Sequence, residues 1–485
     1  MSPLLVFSII AGYFALLLLI AKLTSKGSDS ESFFTGNKQS PWYLVAFGMI
    51  GASLSGVTFI SVPGEVGNSN WSYFQIVLGY LVGYLVIATV LLPLYYKLNL
   101  VSIYQYLETR FGVRSYKTGA FFFLVSRVIG ASFRLFLVAG VLQIAFFDAF
   151  NIPFWVSVLV TIALIWMYTF QGGIKTIVWT DTLQTFFMLL AVVISIYFIA
   201  TELDLTFSAL VASITDSPMS TTFIWDWKAP GNFYKQFLSG AFIAIVMTGL
   251  DQDMMQKNLT CKNLGDAQKN MFWFSTSLVF VNLLFLALGV LLYHYAVVQG
   301  IEIPSRTDSL YPLLAINEFH LLGGIVFLLG ITAAAYSSAD SALTALTTSF
   351  YVDFLNKDPK ESDSKARMGI HLGFSLLIFL VILVFRAIND DSVIVAVFKV
   401  AGYTYGPLLG LYSFGLFTKK QIKDKFAPLV CILSPMLTYL LNENSEWLFG
   451  GYKFGFELLL VNGLFTFLGL WIIAQVQSPD PKRTL

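Results

Sequence analysis

Four groups of polar residues sit inside stretches of chain that are otherwise apolar, and their types suit ion and solute binding better than bond-making. In Ala333-Ala334-Ala335-Tyr336-Ser337-Ser338-Ala339-Asp340-Ser341, the oxygens of Ser337, Asp340 and Ser341 recur at i, i+3 and i+4 and so share one helix face. Hard oxygen donors gathered this way suit an alkali cation, whereas thiols or imidazoles would indicate a transition metal. Serines in apolar helices also bond back to their own backbone, but that leaves the Asp340 carboxylate without a reason to be there. A second group, Gly51-Ala52-Ser53-Leu54-Ser55-Gly56-Val57-Thr58-Phe59, sets two glycines and three hydroxyls where a helix should be continuous. Such a turn can unwind and release carbonyl oxygens, which are ligands for a dehydrated cation inside a protein-lined cavity. Close packing of small residues is the competing explanation.

The third group is Asp181, following Gly172-Gly173-Ile174-Lys175 and Trp179-Thr180. It is either part of a polar site or an interfacial acid paired with Lys175. The fourth is Arg127 and Arg134, seven residues apart and therefore two turns, ~10.5 Å, along nearly one helix face. Deep in a helix bundle they either pair with carboxylates such as Asp181, Asp251, Asp253 or Asp340, or receive an anionic or hydroxyl-rich solute. A further interruption, Thr248-Gly249-Leu250-Asp251-Gln252-Asp253, repeats the glycine-and-polar pattern of residues 51–59 and puts Gln252 beside the same pocket.

The elements that must hold these groups follow from composition. Of 485 residues, 57% are hydrophobic and 12% charged, which a water-soluble globule does not tolerate. Apolar runs about as long as a bilayer-crossing helix recur throughout. They give thirteen expected spans at 4–21, 43–62, 73–95, 120–147, 154–168, 177–199, 237–255, 272–297, 321–350, 369–384, 394–417, 426–441 and 456–473. Most Lys and Arg fall in loops that are cytoplasmic if the amino terminus is outside and the carboxyl terminus inside. The first span has no basic residue before it and reads as a retained helix, not a cleaved leader. The two interrupted spans are five helices apart, as expected of an inverted repeat with its solute held near the midplane between the halves.

Other chemistries find little support. A net charge of +1 without a basic patch argues against nucleic acid. Cys261 and Cys431 suggest no disulfide framework. His294, His320 and His371 have no metal-ligand spacing and read as interfacial. No nucleophile–base motif or phosphate-binding loop accompanies the acids, so the chain reads as a non-enzyme, with a passive channel or a sensor as the other classes to test. The partners are a small solute and the lipid bilayer, and no obligate protein partner is evident.

The succession Ser53-Leu54-Ser55-Gly56-Val57-Thr58-Phe59, Gly172-Gly173-Ile174 with Trp179-Thr180-Asp181, Gln252-Asp253-Met254-Met255-Gln256 and Ala333 to Ser341 resembles the sodium:solute symporters. With the segment Tyr106-Leu107-Glu108-Thr109-Arg110-Phe111 and the extra amino-terminal helix, it resembles in particular the bacterial branch containing sialic-acid symporters. The resemblance implies an all-α LeuT-like fold in a bacterial inner membrane, with a five-plus-five inverted repeat at 43–200 and 236–417, one extra helix before it and two after. It implies alternating access and a sodium site from Gly51, Leu54, Ala334, Ser337 and Ser338. A second sodium site would use Asp181, Ser337, Asp340 and Ser341, where Asp340 replaces a usual serine. The solute pocket would be lined by Ser53, Ser55, Thr58 and Tyr73, with Val77 in place of a glutamine and Gly130 in place of the carboxylate-binding arginine. Arg127 and Arg134 flank Gly130 at one turn either way.

Overall fold

A computed structural model describes residues 3–24, 36–357, 363–388 and 392–475, and these are almost wholly helical. Backbone groups in hydrocarbon have no water to bond, so an apolar run satisfies its own N–H and C=O groups by coiling. The principal helices are α1 (Pro3–Thr24), α2 (Trp42–Ser69), α3 (Tyr73–Val86), α4 (Val113–Leu142) and α5 (Phe154–Glu202). They continue with α6 (Phe233–Ala244), α7 (Gln252–Asn258), α8 (Leu264–Val298), α9 (Leu321–Ser349) and α10 (Ser364–Ile388). The last four are α11 (Val393–Thr404), α12 (Gly406–Phe417), α13 (Ala427–Glu443) and α14 (Leu458–Ile472). Residues Gln421–Ile422 and Ala474–Gln475 form a short antiparallel ribbon.

Every span expected from the sequence falls mainly on helix, but the count of crossings is coarser than thirteen. Among the described residues eight helices are long and apolar enough to cross a membrane, or ten if two bent pairs each count as one span. The difference has local causes. The spans at 43–62 and 73–95 fall in one nearly continuous helical stretch, Trp42–Lys97. Those at 154–168 and 177–199 fall together in α5, with no helical break between them. The side chains of residues 168–173 and 175 lie outside the described residues, and with them the suggested Lys175 partner of Asp181.

Three close packings assemble the centre: α9 against α5, α3 against α6, and α2 against α8, with α2 also touching α5 and α9. In lipid there is little hydrophobic drive between helices, so small residues that let backbones meet set the contacts. Between α3 and α6, a Cβ on Gly79 would fall 2.0 Å from the Phe237 carbonyl oxygen, and one on Gly240 would fall 2.1 Å from that of Ile76. The two glycines therefore let these helices touch backbone to backbone. His371 is buried, contrary to its interfacial expectation, with Nδ1 3.1 Å from Thr347 Oγ1.

Candidate functional site

Both interrupted spans are broken in the structure. In α2, Ser55 has φ 37° and ψ 174°, a left-handed backbone that side chains rarely adopt. Its hydroxyl steadies the corner by accepting from Val57 N at 3.3 Å. The sequence expects unwinding within Gly51–Phe59, and the structure puts the break at Ser55. Gly51–Leu54 is then the turn before a break, where carbonyls lose helical donors. One of them, the Ala52 carbonyl, accepts from Ser338 Oγ at 3.4 Å, joining α2 to α9. Gly51 faces α5, and a Cβ there would come within 2.2 Å of Thr185 Oγ1. Gly51, Leu54, Ala334, Ser337 and Ser338 are all buried where these helices converge.

The second break separates α6 and its π-helical extension Ile245–Gly249 from α7, with a bend of 70°. Carbonyls exposed by it are taken by neighbouring tyrosines: Tyr95 donates to Gly249 O at 2.8 Å and Tyr104 to Leu250 O at 3.0 Å. Asp251 caps α7, its Oδ1 accepting from Asp253 N at 3.0 Å and Met254 N at 3.4 Å.

A charged layer lies beside each break. Arg127 on α4 pairs with Asp253, and its Nη1 lies 3.8 Å from Asp251 Oδ2, which also accepts from the Tyr405 hydroxyl at 2.5 Å. On the other side, Asp181 is fully buried on α5. Its Oδ1 accepts from Ser337 at 2.6 Å and its Oδ2 lies 2.8 Å from Lys257 Nζ on α7. Gln184, in the amide orientation that satisfies both its ends, adds a donor to Oδ1 at 3.3 Å. Asp340, a turn beyond Ser337, takes the Ser341 N–H on its Oδ1 at 2.5 Å.

Between the breaks lies a cavity walled by Ser53, Ser55 and Thr58 of α2, Tyr73, Tyr80 and Tyr84 of α3, Arg127 and Arg134 of α4, Thr248, Asn282 of α8 and Phe398 of α11. Tyr73 stacks on Phe398 with ring planes 10° apart. The two arginines differ. Each has an Nε without a hydrogen-bond partner among the described residues, but Arg127 is ion-paired, whereas Arg134 has no carboxylate within ion-pair distance among them. It is 8% exposed, so bulk water does not replace the missing partner. Asn282 donates to Leu278 O at 2.7 Å and leaves its Oδ1 unpaired on the same wall.

Several expected residues are elsewhere. Gln252 does not line this cavity: its Oε1 accepts from Ile103 N at 2.9 Å and its Nε2 donates to Val101 O at 2.8 Å, which fixes it to the segment after α3. Val77 is fully buried in the apolar packing. Gly130 borders a smaller adjoining cavity with Arg127, Arg134 and Tyr405. Sequence reasoning named Tyr73 but missed Lys257, Asn282 and the two tyrosines that continue its row, Tyr80 and Tyr84. A lone asparagine within an apolar span was the readable sign of Asn282, and seven- and four-residue spacing that of the tyrosines. Lys257 had no such sign, because it follows the break closely enough to pass for a loop residue.

The donor set around Ser338 and the α2 turn is carbonyl and hydroxyl oxygen, suited to sodium. Among the described residues no three His, Cys, Asp or Glu groups converge as they would on a transition metal.

Comparison with known proteins agrees with this chemistry. The sodium/sialic acid symporter SiaT of Proteus mirabilis is 24% identical over 431 residues, covering 85% of each chain. Human sodium-coupled monocarboxylate transporter 2 is 24% identical over 402 residues, covering 81% of this chain and 64% of that protein. The substrate-bound outward-open state of a Na⁺-coupled sialic acid symporter superposes with a TM-score of 0.82 at 20% identity, over 97% of this chain and 98% of that one, and so shares the LeuT-like fold. The relatives are transporters and not enzymes. Residues 33–424 match the model of the sodium:solute symporter family, and the chain belongs to that family of multi-pass, sodium-coupled solute transporters.

Proposed function

We propose that this chain imports a small organic anion with sodium, and that the acid group of the solute rests on Arg134. The observation that carries this is the Arg134 guanidinium, buried on the cavity wall with no carboxylate within ion-pair distance among the described residues. A buried charge left unpaired costs several kcal/mol in a low-dielectric interior, about the penalty that a bound anion removes. Hydroxyls of Ser53, Ser55, Thr58 and Tyr73 and the free Oδ1 of Asn282 offer donors and acceptors for the rest of the molecule. Relatives named for sialic acid and for monocarboxylates fit an acidic solute.

In this reading sodium is held by carbonyls of Gly51, Leu54 and Ala334 and hydroxyls of Ser337 and Ser338. It bridges the broken α2 to α9 and shapes the adjoining pocket. The halves at 43–200 and 236–417 then rock around this centre, with the amino terminus outside the bacterial inner membrane and the carboxyl terminus in the cytoplasm. The ion gradient drives accumulation: each charge moved across 100 mV contributes ~2.3 kcal/mol. A thermal-stabilisation screen of purified protein against carboxylates, sugar acids, amino acids and neutral sugars, with sodium or potassium, tests it. An acid that stabilises in sodium alone is expected. Stabilisation by neutral sugars only, or independent of sodium, would sink the proposal.

A further inference from the structure

We infer that Gly130 is a specificity-determining residue: having no side chain, it keeps open a side pocket between Arg127 and Arg134 that takes one small uncharged oxygen of the solute, next to its acid group. The inference rests on the anion reading above and narrows its substrate class. Arg127, Gly130 and Arg134 stand at i, i+3 and i+7 on α4, and so share one helix face. A second cavity lies against that face, walled on the far side by Val397, Val400, Ala401 and Thr404 of α11. It shares Arg127, Arg134, Met247 and Val397 with the central cavity, so the two adjoin at the guanidinium that receives the acid. At about 10 Å³ it holds one water-sized group. A Cβ built on Gly130 meets no atom within 4 Å, so a side chain there would fill the space without displacing a neighbour.

The wall decides what that group is. Its hydroxyls are spent elsewhere: Ser126 donates to Phe122 O at 2.7 Å, Thr404 to Val400 O at 3.0 Å and Tyr405 to Asp251 Oδ2 at 2.5 Å. Polar capacity is left on the arginines, chiefly Arg134, which is 8% exposed and has no carboxylate within ion-pair distance among the described residues. A guanidinium donates hydrogen bonds and accepts none. A hydroxyl or carbonyl oxygen therefore suits the pocket, a methyl leaves the donors unpaired, and an ammonium meets two like charges in a place of low dielectric. Because Arg134 borders both cavities, a carboxylate that it holds in the central one has its adjoining carbon at the mouth of the smaller. The favoured solute is thus a 2-hydroxy or 2-oxo acid, ahead of its unsubstituted or 2-amino counterpart.

The test is thermal stabilisation of purified full-length protein, in sodium, by acids matched except at the carbon beside the carboxylate. The sets are lactate, pyruvate and alanine against propionate, mandelate and phenylglycine against phenylacetate, and gluconate and glucosaminate against 2-deoxygluconate. In wild type the oxygenated members of at least one set are expected to bind roughly tenfold more tightly than the rest of that set, the scale of one hydrogen bond to a charged donor. Gly130→Ala, with an unchanged melting temperature in the absence of acid, is expected to cut that affinity ratio about tenfold. Equal affinities within each set, a preference for the 2-amino acid, or a ratio that Gly130→Ala leaves intact overturns the inference. A Gly130→Ala protein that fails to fold contradicts the open space beside Gly130 and overturns it too. Failure of the anion reading looks different: no acid of any set stabilises the protein in sodium, which removes both readings, whereas binding without discrimination removes only this one.

Discussion

The phenol of Tyr405 donates to Oδ2 of Asp251 at 2.5 Å, and Asp251 also faces Arg127 at 3.8 Å, so the end of α11 and the second helix break meet at one carboxylate oxygen. The contact lies beside Arg127, which walls the central cavity, while Tyr405 itself borders the smaller adjoining one. Tyr405→Phe deletes the donor without changing shape, and because the acceptor is a carboxylate facing Arg127 the loss is expected to be about 1.5–3 kcal/mol. Urea or thermal unfolding in detergent would measure it. An unchanged midpoint would mean that the hydroxyl is not engaged.

Arg127 and Arg134 should respond differently to removal. Arg127→Ala strands Asp253 and part of Asp251 in a dry interior and is expected to cost about 3–5 kcal/mol of stability. Arg134→Gln removes a charge that has no carboxylate within ion-pair distance among the described residues, so the protein should fold about as well as wild type. Its loss should appear in solute binding, weakened roughly 10- to 100-fold, the scale of one charge-assisted hydrogen bond. Parallel melting curves with and without the solute separate the two effects.

Ser338→Ala removes the hydroxyl that reaches across to the Ala52 carbonyl. The half-saturating sodium concentration for uptake should rise about tenfold or more, the scale of one lost ligand. Uptake into proteoliposomes over a sodium series is the measurement. A sodium curve that overlays wild type would remove Ser338 from the site.

Backbone contact between α3 and α6 gives a packing test. Gly240→Ala would place a methyl about where the Ile76 carbonyl oxygen lies and is expected to destabilise by about 1–3 kcal/mol or more. Gly130→Ala meets nothing within 4 Å and should be neutral to stability. Comparable losses from both would contradict the packing described here.

The sequence made the membrane helices and the two breaks readable, because glycine and hydroxyls inside apolar runs are costly there and need a reason. It bounded the α2 break to Gly51–Phe59, the stretch in which Ser55 turns. Asp181 and Ser337 stood in separate groups that only the family resemblance joined, and the structure brings them to 2.6 Å. What it could not supply was the partner across space. Gln252 has the polarity of a pocket residue, yet nothing local says that its amide closes on Val101 and Ile103. Lys257 looks like any basic loop residue until α5 is packed against α7. Merging of the spans 154–168 and 177–199 into α5 was likewise hidden, because the glycine-rich segment between them reads as a turn in isolation.

The same Gln252 clasp bears on mechanics. Tyr95 holds Gly249, Tyr104 holds Leu250, and Gln252 grips residues 101 and 103, while Tyr412 donates to Ile103 O at 2.8 Å. The joint at the second break is therefore not a free hinge but one corner of a braced frame. Any swing of α7 must drag the 95–104 segment along with it, and through Tyr412 must strain or slide past α12. Stiffness at this joint is thus shared among segments distant in sequence, so substitutions well outside the cavity can set how fast it turns.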